Sequence, residues 1–394
     1  MTPLTVNRDR LAQTFLELVR IDSVSREEGS IACRVCEIFA EELGAETKTD
    51  ESRPLTGSET GNLVVRIPGS IPVRPLFFNA HLDTVEPGRG VRPVLQNGRF
   101  SSDGSTILGA DDKAAIAILI EAARILRDTG IPHGPVEFLF TVCEEIGLLG
   151  AKALDPALLS AREGFALDST DPNVLITRAP QAIRFTLKVV GKAAHAGISP
   201  ELGIHAIQIA AKAMAGISLG QIDPDTTANI GIIRGGTATN IVPSECVLEG
   251  EVRSHDPARL RKVQDAILGA FHREAGRFRE ETKASLPLVQ TDVRDDYPAL
   301  CVPDDHPIIA CALRASERIG SPLKLQKTGG GSDANILHGK GLTTAILGIG
   351  MQKVHSTEEF ILLDDMELTT RRVMAIMEEW ARNQKEGQQP TSQN

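Results

Sequence analysis

Long apolar runs alternate with helical patterns through the first 178 residues. Runs of this kind predict buried strands over 62–67, 75–83, 136–142 and 164–168. Between the second and third runs, apolar residues at helical spacing predict a helix that ends at Gly130 and covers 111–130. Strands that alternate with helices are typical of an α/β domain, whose functional groups lie near the carboxyl ends of the strands.

The pattern changes near residue 180. The order becomes strand, helix, strand, strand, helix, strand, which predicts a small α/β sandwich with its helices on one face. The segments are 181–191, 202–217, 226–236, 246–254, 256–278 and 283–293. A helix over 306–320 and a buried strand over 343–350 then resume the first pattern. We therefore predict an α/β fold, in which a large mixed-sheet domain (1–179 and 295–394) is interrupted by a smaller inserted domain (180–294).

Neither a secretory leader nor a membrane span is predicted. Arg8 and Arg10 stand where a leader would need an apolar core, and the residues after them have the spacing of a helix. The longest apolar stretch, 114–126, contains Glu121 and Arg124 and is too short to span a bilayer. We expect a cytoplasmic protein, with a frayed polar tail over 383–394.

The composition excludes several classes of partner. Of the 394 residues, 41% are hydrophobic and 24% charged, which is the balance of a globular protein with a large core. The 52 acidic against 42 basic residues give a net charge of -10, and only 4% of the residues are aromatic. Electrostatic binding to nucleic acid or to an anionic membrane is therefore disfavoured, and a small ligand is expected.

Six cysteines form no dense framework in so long a chain. Cys33 and Cys36 have the spacing of a redox or metal pair, but they lie in a segment with helical amphipathic spacing, and no second pair follows. We predict buried, reduced thiols that act as small apolar side chains.

Ionisable side chains follow several of the predicted strands. Strand ends brought to one edge of a sheet place such groups together, where water or a cation must compensate them. The residues are His81, Asp83, Glu144, Glu145 and Asp168 after strands, and Asp111, Asp112 and His355 on connections.

Each of these residues also has an ordinary structural explanation. His81 and Asp83 could form a local hydrogen-bonded pair, Asp111 could cap a helix, and Glu144 with Glu145 could be solvated surface acids. A cap explains one aspartate but not Asp111 beside its acidic neighbour, and surface charge does not explain two glutamates directly after an apolar strand. Their joint occurrence favours a metal site.

The residue types indicate the kind of metal. Imidazole and carboxylate ligands without thiolate suit zinc, cobalt or manganese at a catalytic site. Two metals about 3.5 to 4 Å apart need a bridging carboxylate, for which Asp111 is the natural candidate. Glu144, next to the ligand Glu145, is then available as the general base.

The order of these motifs resembles a known family. Five segments are similar to the motifs of the co-catalytic di-zinc exopeptidases related to peptidase T and carboxypeptidase G. These segments are His81-Leu82-Asp83-Thr84-Val85, Gly109-Ala110-Asp111-Asp112-Lys113, Glu144-Glu145-Ile146-Gly147, Asp168 and His355-Ser356. The resemblance covers nearly the whole chain and implies that the inserted domain is a lid. It also implies a cis peptide bond after Asp111.

The resemblance implies a role for each site residue. His81, Asp111 and Asp168 would bind one zinc, and Asp111, Glu145 and His355 the second. Asp83 would orient His81 through the ring nitrogen away from the metal, and Glu144 would pass a proton from the attacking water to the leaving amine.

Substrate contacts follow from the same resemblance. His195, in a glycine- and alanine-rich segment, resembles a histidine that holds the substrate carbonyl or oxyanion. Asn240 and Arg253 resemble positions that contact the substrate backbone and carboxylate, and Gly330 and Ser332 lie in a glycine turn near the substrate. A structural histidine and a surface arginine are the alternatives, and the glycine turn lacks the lysine of a phosphate-binding loop.

The implied activity is hydrolysis of short peptides by a zinc-activated water. Aspartate at position 168 is associated, within the family, more with aminopeptidases and dipeptidases than with carboxypeptidases and deacylases. We therefore predict a tripeptide aminopeptidase-like metallo-exopeptidase with two Zn²⁺ per chain, for which Co²⁺ or Mn²⁺ could substitute. The alternatives are an amidohydrolase of N-acyl amino acids or a carboxypeptidase, and the intact Glu144 argues against a non-enzymatic metal-binding protein. Members of this family often pair through the lid and some act as monomers, so the resemblance leaves open whether two chains pair through the lid or the chain acts alone.

Overall fold

A computed structural model describes residues 5–386 and divides into two compact units. Unit 1 comprises the chain up to Arg178, Leu300–Lys327 and the chain from Ser332 onward; unit 2 comprises Ala179–Ala299 and Thr328–Gly331. The segment predicted to be inserted, 180–294, lies within unit 2. That the units are separate domains stays a prediction.

The first part of unit 1 contains the predicted alternation of strands and helices. Its helices are α1 (Arg8–Val19), α2 (Gly29–Glu37), which continues as a π-helical turn (Ile38–Glu42), α3 (Arg53–Thr56), α4 (Ala110–Thr129) and α5 (Leu149–Ala153), followed by a 3₁₀ turn (Pro156–Leu158). Its strands are β1 (Glu46–Thr49), β2 (Leu63–Ile67), β3 (Leu76–His81), β4 (Pro93–Gln96), β5 (Arg99–Ser102), β6 (Val136–Thr141), β7 (Glu163–Ala166) and β8 (Val174–Ala179). All four strands that the apolar runs predicted are present.

Unit 2 has the predicted order of elements and one additional short strand. In chain order these are β9 (Gln181–Val190), a 3₁₀ turn (Pro200–Leu202), α6 (Ala206–Ala215), β10 (Gly220–Asp223), β11 (Thr226–Gly235), β12 (Glu245–Ser254), α7 (Pro257–Thr282) and β13 (Leu288–Tyr297). The antiparallel sheet has the order β10-β11-β12-β9-β13. Both helices pack on one face of it, around a core that includes Phe185 and Phe271.

The chain then returns to unit 1. The remaining elements are β14 (Leu300–Cys301), α8 (Pro307–Arg318), β15 (Lys324–Lys327), α9 (Asp333–Gly339), β16 (Thr343–Leu347), β17 (Phe360–Leu362) and α10 (Leu363–Glu386). We predicted a tail from Asn383, but α10 includes Asn383–Glu386, and the Asn383 amide donates to Glu379 one turn earlier. The rest of the predicted tail, 387–394, lies outside the described residues.

The large sheet of unit 1 is mixed, as predicted. Its order is β1-β2-β6-β3-β7-β16-β8-β14, with β15 beside β8. The central strands β6, β3, β7 and β16 are parallel, whereas β1 pairs antiparallel with β2, β2 with β6, and β8 with β16. A separate small sheet has the order β17-β5-β4.

Helix α4 lies in the middle of unit 1 and explains the most apolar stretch of the sequence. Its residues from Ala110 to Leu126 are all buried, because it packs against β3 on one side and against α1 and α10 on others. On the sheet, the ring of Phe78 lies 5.9 Å from that of Phe165 and 6.2 Å from that of Phe138. This packing fixes the strands whose ends carry the ionisable residues.

The cysteine prediction was partly wrong. Cys143 and two others are buried and all six are free, but Cys33 and Cys301 are exposed and Cys36 is half-buried. Cys33 lies on α2, whose buried face is formed by Ile31, Ala32 and Val35. Among the described residues, no helix is long and apolar enough to cross a membrane.

Candidate metal centre

Three neighbouring parallel strands bring their carboxyl ends to one edge of the large sheet. His81 is the last residue of β3, Glu144 and Glu145 follow β6 closely, and Asp168 follows β7. Because β3 pairs in parallel with both β6 and β7, the residues after these strands emerge side by side. His355 lies in the loop after β16, the next parallel strand.

Asp111 lies between two histidines. One of its carboxylate oxygens is 3.0 Å from Nε2 of His81, and the other is 3.4 Å from Nε2 of His355. The same nitrogen of His355 is 3.0 Å from a carboxylate oxygen of Glu145. An aspartate that presents one oxygen to each of two imidazoles has the arrangement needed to bridge two cations.

The donor set fits divalent cations. Ligand atoms of His81, Asp111 and Glu145 all lie within 4.8 Å of one another. Imidazole and carboxylate donors without thiolate are typical of catalytic zinc, manganese or cobalt sites. The residues present therefore fit a divalent metal ion.

The electrostatics of the site favour a cation as well. Burial, together with the nearby charge of Asp111, raises the pKa of Asp168 to about 7, and burial with the charge of Asp168 raises the pKa of Glu144. Burial opposes ionisation of Asp111 too. Hydrogen bonds from His355 and His81 outweigh the effect of burial and hold the pKa of Asp111 well below the ordinary range. Hydrogen bonds to Asp111 and Glu145 raise the pKa of His355 to about 10. Positive charge here compensates carboxylates that burial would otherwise protonate.

Asp83 contacts both a histidine and the backbone of the glutamate pair. Nδ1 of His81 is 2.9 Å from the backbone carbonyl oxygen of Asp83 and 3.6 Å from its carboxylate. We expected Asp83 to orient the ring through this nitrogen, and the carbonyl is the nearer of its two acceptors. The carboxylate instead accepts the backbone N–H groups of Glu144 and Glu145, at 2.8 and 3.2 Å.

The start of α4 is irregular at the candidate bridge. Gly109 has a left-handed conformation (φ 75°), which suits glycine, and Asp111 and Asp112 have non-helical dihedral angles. The peptide bond between the two aspartates is cis, as the resemblance implied. The side chain of Asp112 points back to β3, where Oδ2 accepts the backbone N–H of His81.

Comparison with known proteins identifies the family. Residues 77–379 match the model of peptidase family M20/M25/M40. The chain belongs to this family. The predicted family, the fold class and the assignment as a peptidase are thereby confirmed.

Three relatives of this peptidase align over nearly their whole length. The aminopeptidase PepT from Bacillus cereus ATCC 10987 is 40% identical, with a TM-score of 0.88 over 95% of this chain and 99% of that one. A tripeptidase from Staphylococcus aureus subsp. aureus Mu50 is 38% identical, with a TM-score of 0.91 over 96% and 99%. The uncharacterized protein YqjE of Bacillus subtilis (strain 168) is 41% identical over 379 residues, which are 96% of this chain and 100% of that protein.

Three predicted substrate residues of the peptidase lie in unit 2. His195 is exposed, and its Nδ1 accepts the backbone N–H groups of Gly197 and Ile198. Asn240 is also exposed, whereas Arg253 is half-buried and its guanidinium binds Glu251 on the same strand at 2.9 Å. Their contacts with a substrate stay predictions.

The predicted glycine turn of the peptidase caps a helix and packs closely against an aromatic ring, and the sequence indicated neither role. The side chain of Ser332 accepts the N–H of Ala334 and caps α9, while Gly330 is exposed. A Cβ at Gly331 would lie 2.3 Å from the ring of Tyr297, so glycine is required there by close packing. A role of Gly330 and Ser332 in substrate binding stays a prediction.

Sequence reasoning also missed several buried acids around the site. One carboxylate oxygen of Asp333 accepts a hydrogen bond from the hydroxyl of Thr141, and the other has no hydrogen-bond partner among the described residues. Glu28 accepts the backbone N–H of Cys143 at 3.0 Å, directly before the glutamate pair. The carboxylate of Glu359 accepts N–H groups at the start of α4. The one signal in the sequence was proximity to a motif, since Asp333 follows the glycine turn and Glu359 follows His355.

Proposed function

We propose that this peptidase is a di-metal aminopeptidase that removes the N-terminal residue of tripeptides and similarly short peptides. The observation that carries the proposal is Asp111, with one carboxylate oxygen toward His81 and the other toward His355. The aminopeptidase and the tripeptidase described above support the choice of substrate, since both align with nearly the whole chain.

The metal ligands are proposed in two sets that share one carboxylate. His81, Asp111 and Asp168 would hold one cation, and Asp111, Glu145 and His355 the other. Two divalent cations at such a site lower the pKa of a shared water and polarise a peptide carbonyl. Zinc is the proposed metal, with cobalt or manganese as substitutes.

Glu144 is proposed to carry the proton. Its backbone is held by Asp83, and its side chain is not used by any of the ligand contacts described above. Glu144 would accept a proton from the attacking water and donate it to the nitrogen of the leaving amine. The raised pKa of its carboxyl group, caused by burial and by the charge of Asp168, suits a group that must both accept and release a proton.

Unit 2 is proposed to supply the substrate contacts. His195 would donate a hydrogen bond to the oxygen of the scissile carbonyl, while Asn240 and Arg253 would hold the backbone and carboxylate of the peptide. Gly330 and Ser332 are proposed as further substrate contacts, of which Ser332 belongs to unit 1. A homodimer formed through unit 2, in which His195 serves its own or the partner's site, and a cytoplasmic location belong to the same proposal.

A peptide digest with mass-spectrometric detection tests the proposal. The panel contains a free tripeptide, its N-acetylated form, its C-terminal amide, the corresponding dipeptide and tetrapeptide, and N-acyl amino acids. We expect release of the first residue from the free tripeptide, loss of activity on the N-acetylated form, and loss on metal chelation. Release of the last residue, or hydrolysis of N-acyl amino acids alone, would favour the carboxypeptidase or amidohydrolase alternatives.

A further inference from the structure

Glu359 is a fully buried carboxylate that accepts hydrogen bonds from backbone N–H groups alone within the described part of the chain. It is 1% exposed and lies in the loop between β16 and β17. One oxygen accepts the N–H groups of Leu108 and Gly109, each at 2.8 Å, and the other accepts the N–H of Asp111 at 3.0 Å. Three charge-assisted hydrogen bonds therefore join residues that are 248 to 251 positions apart in the chain.

These donors belong to the segment that places the candidate bridging carboxylate. The backbone of Asp111 is not helical, with φ -80° and ψ 101°, so the segment is not held by the regular hydrogen bonds of α4. Glu359 supplies the acceptors that these N–H groups lack within the helix. Because it binds the N–H groups of both Gly109 and Asp111, it holds the backbone on either side of Ala110 and thereby the position from which the Asp111 side chain extends.

The same loop carries the other partner of Asp111. His355 and Glu359 lie within 352–360, a loop closed by paired backbone hydrogen bonds between Gln352 and Phe360 at 2.8 and 3.0 Å. Within it, the N–H of Glu359 donates to the carbonyl of Ser356. A single short loop therefore presents an imidazole to the carboxylate of Asp111 and an acceptor to its backbone.

We propose that Glu359 is a positioning residue, which fixes the backbone of Asp111 so that its two oxygens can each face one cation. The inference rests on the proposed di-metal site but not on the identity of the substrate. Partners that orient metal ligands affect metal affinity about 10- to 100-fold when they are replaced.

The first test is the substitution Glu359→Gln. It keeps the size of the side chain but replaces one acceptor oxygen with an NH₂ group, which leaves one set of N–H donors without a partner. Zn²⁺ titration of the metal-free protein by calorimetry, with a competing chelator, should show affinity about 10- to 100-fold weaker than wild type. The visible absorption of Co²⁺-loaded protein should change as well, because it reports the geometry of the ligands.

Glu137→Gln is the matched control. Glu137 is also buried (2% exposed) and accepts backbone N–H groups, those of Ser160 and Ala161, but these lie away from the metal ligands. This variant should lose thermal stability while binding Zn²⁺ as wild type does. If both variants lose affinity equally, the effect is general destabilisation and the proposal fails.

A second variant covers the case in which Glu359→Gln does not fold. Glu359→Asp keeps both oxygens on a side chain shorter by one methylene, and its Zn²⁺ affinity should fall between those of wild type and Glu359→Gln. Wild-type affinity in every folded Glu359 variant overturns the proposal. Since the titration contains no peptide, a failure of the tripeptide digest would leave this result intact, and the reverse also holds.

Discussion

The carboxylate of Asp83 accepts a 2.8 Å hydrogen bond from the backbone N–H of Glu144. Its second oxygen accepts the N–H of Glu145 at 3.2 Å and the hydroxyl of Ser25 at 2.6 Å. One buried acid therefore anchors the backbone of both glutamates. The two side chains can then differ in use, because Glu145 reaches His355 whereas Glu144 makes no such contact.

Removal of the Glu144 carboxylate should separate catalysis from metal binding. In Glu144→Ala we expect kcat for a free tripeptide to fall by about 10²- to 10⁴-fold, since a general base of this kind contributes that much. Elemental analysis should still find about two divalent ions per chain, because the proposed ligands are unchanged. Glu358→Ala is the control. Glu358 is an exposed acid paired with Lys353, so its replacement should change neither kcat nor the metal content. Loss of metal together with activity would contradict the proposed division of roles.

Removal of an imidazole should change the metal content. His355→Ala should bind about one ion per chain, where we expect about two in wild type, because it removes a proposed ligand of the second cation only. The measurement is elemental analysis after dialysis against metal-free buffer. His272→Ala, at an exposed position on α7, serves as control and should retain both ions. Two tightly held ions in the His355 variant would exclude this histidine from the ligand set.

The elements that sequence patterns predicted well are the long apolar ones. Strands such as β3 and β6 are buried on both faces, so their composition alone distinguishes them from their surroundings. The hairpin of β4 and β5 was missed because its strands are short and half polar, although its turn carried a signal. Asn97 and Gly98 both have positive φ (52° and 75°), as an Asn-Gly turn between two strands favours.

The candidate site could be predicted where an ionisable residue stands at the end of an apolar strand, as His81 does. Glu359 could not be found in this way, because it stands in a polar segment, and an acid there is usually solvated. Its burial depends on packing against the start of α4, far away in the chain. The hydrogen-bond acceptor for His81 could likewise be predicted only in part. The sequence indicated Asp83, but only the structure shows that its carbonyl lies nearer to the ring than its carboxylate does.

The tautomer of His195 determines what its replacement should do. Because Nδ1 accepts two backbone N–H groups, at 3.2 and 3.1 Å, the ring proton of the neutral form lies on Nε2, which can donate to a developing oxyanion. His195→Ala should lower kcat by about 10²- to 10³-fold with a smaller change in KM, as loss of an oxyanion donor does. His205 is a matched control, since its Nδ1 also accepts a backbone N–H, from Gln208. Equal kinetics in the two variants would exclude an oxyanion role for His195.

If the proposed homodimer forms, a mixing experiment decides whether His195 serves its own site or the partner's. Two inactive variants, His195→Ala and Glu144→Ala, are combined under conditions that allow chains to exchange. If His195 acts in the partner's site, mixed dimers contain one site with both residues intact, and activity should return to about a quarter of wild type at equal mixing. If it acts in its own chain, the mixture should stay inactive, because every site lacks one of the two residues.

Asp365 should give this protein a pH-dependent stability outside the metal centre. It lies in the first turn of α10, and burial, together with the charges of Asp364 and Asp171, raises the pKa of its carboxyl to about 6. In the unfolded chain the pKa is about 3.9. The folded state therefore disfavours the charged form, so the carboxylate destabilises the fold above pH 6, and this cost disappears as the pH falls toward 4.

Asp365→Asn should consequently be more stable than wild type at pH 7.5 but not at pH 4. We expect a gain of about 1 kcal/mol in the free energy of unfolding, after allowance for solvent screening of a partly exposed group and for the favourable helix dipole that the substitution gives up. Urea unfolding of the metal-free protein at the two pH values measures the difference. Asp364→Asn is the control: Asp364 is exposed and paired with Arg8, so its replacement removes an attraction and should bring no comparable gain. A gain for Asp365→Asn of equal size at pH 4 would show that the cause is packing, since the carboxyl is already neutral in the folded protein at that pH.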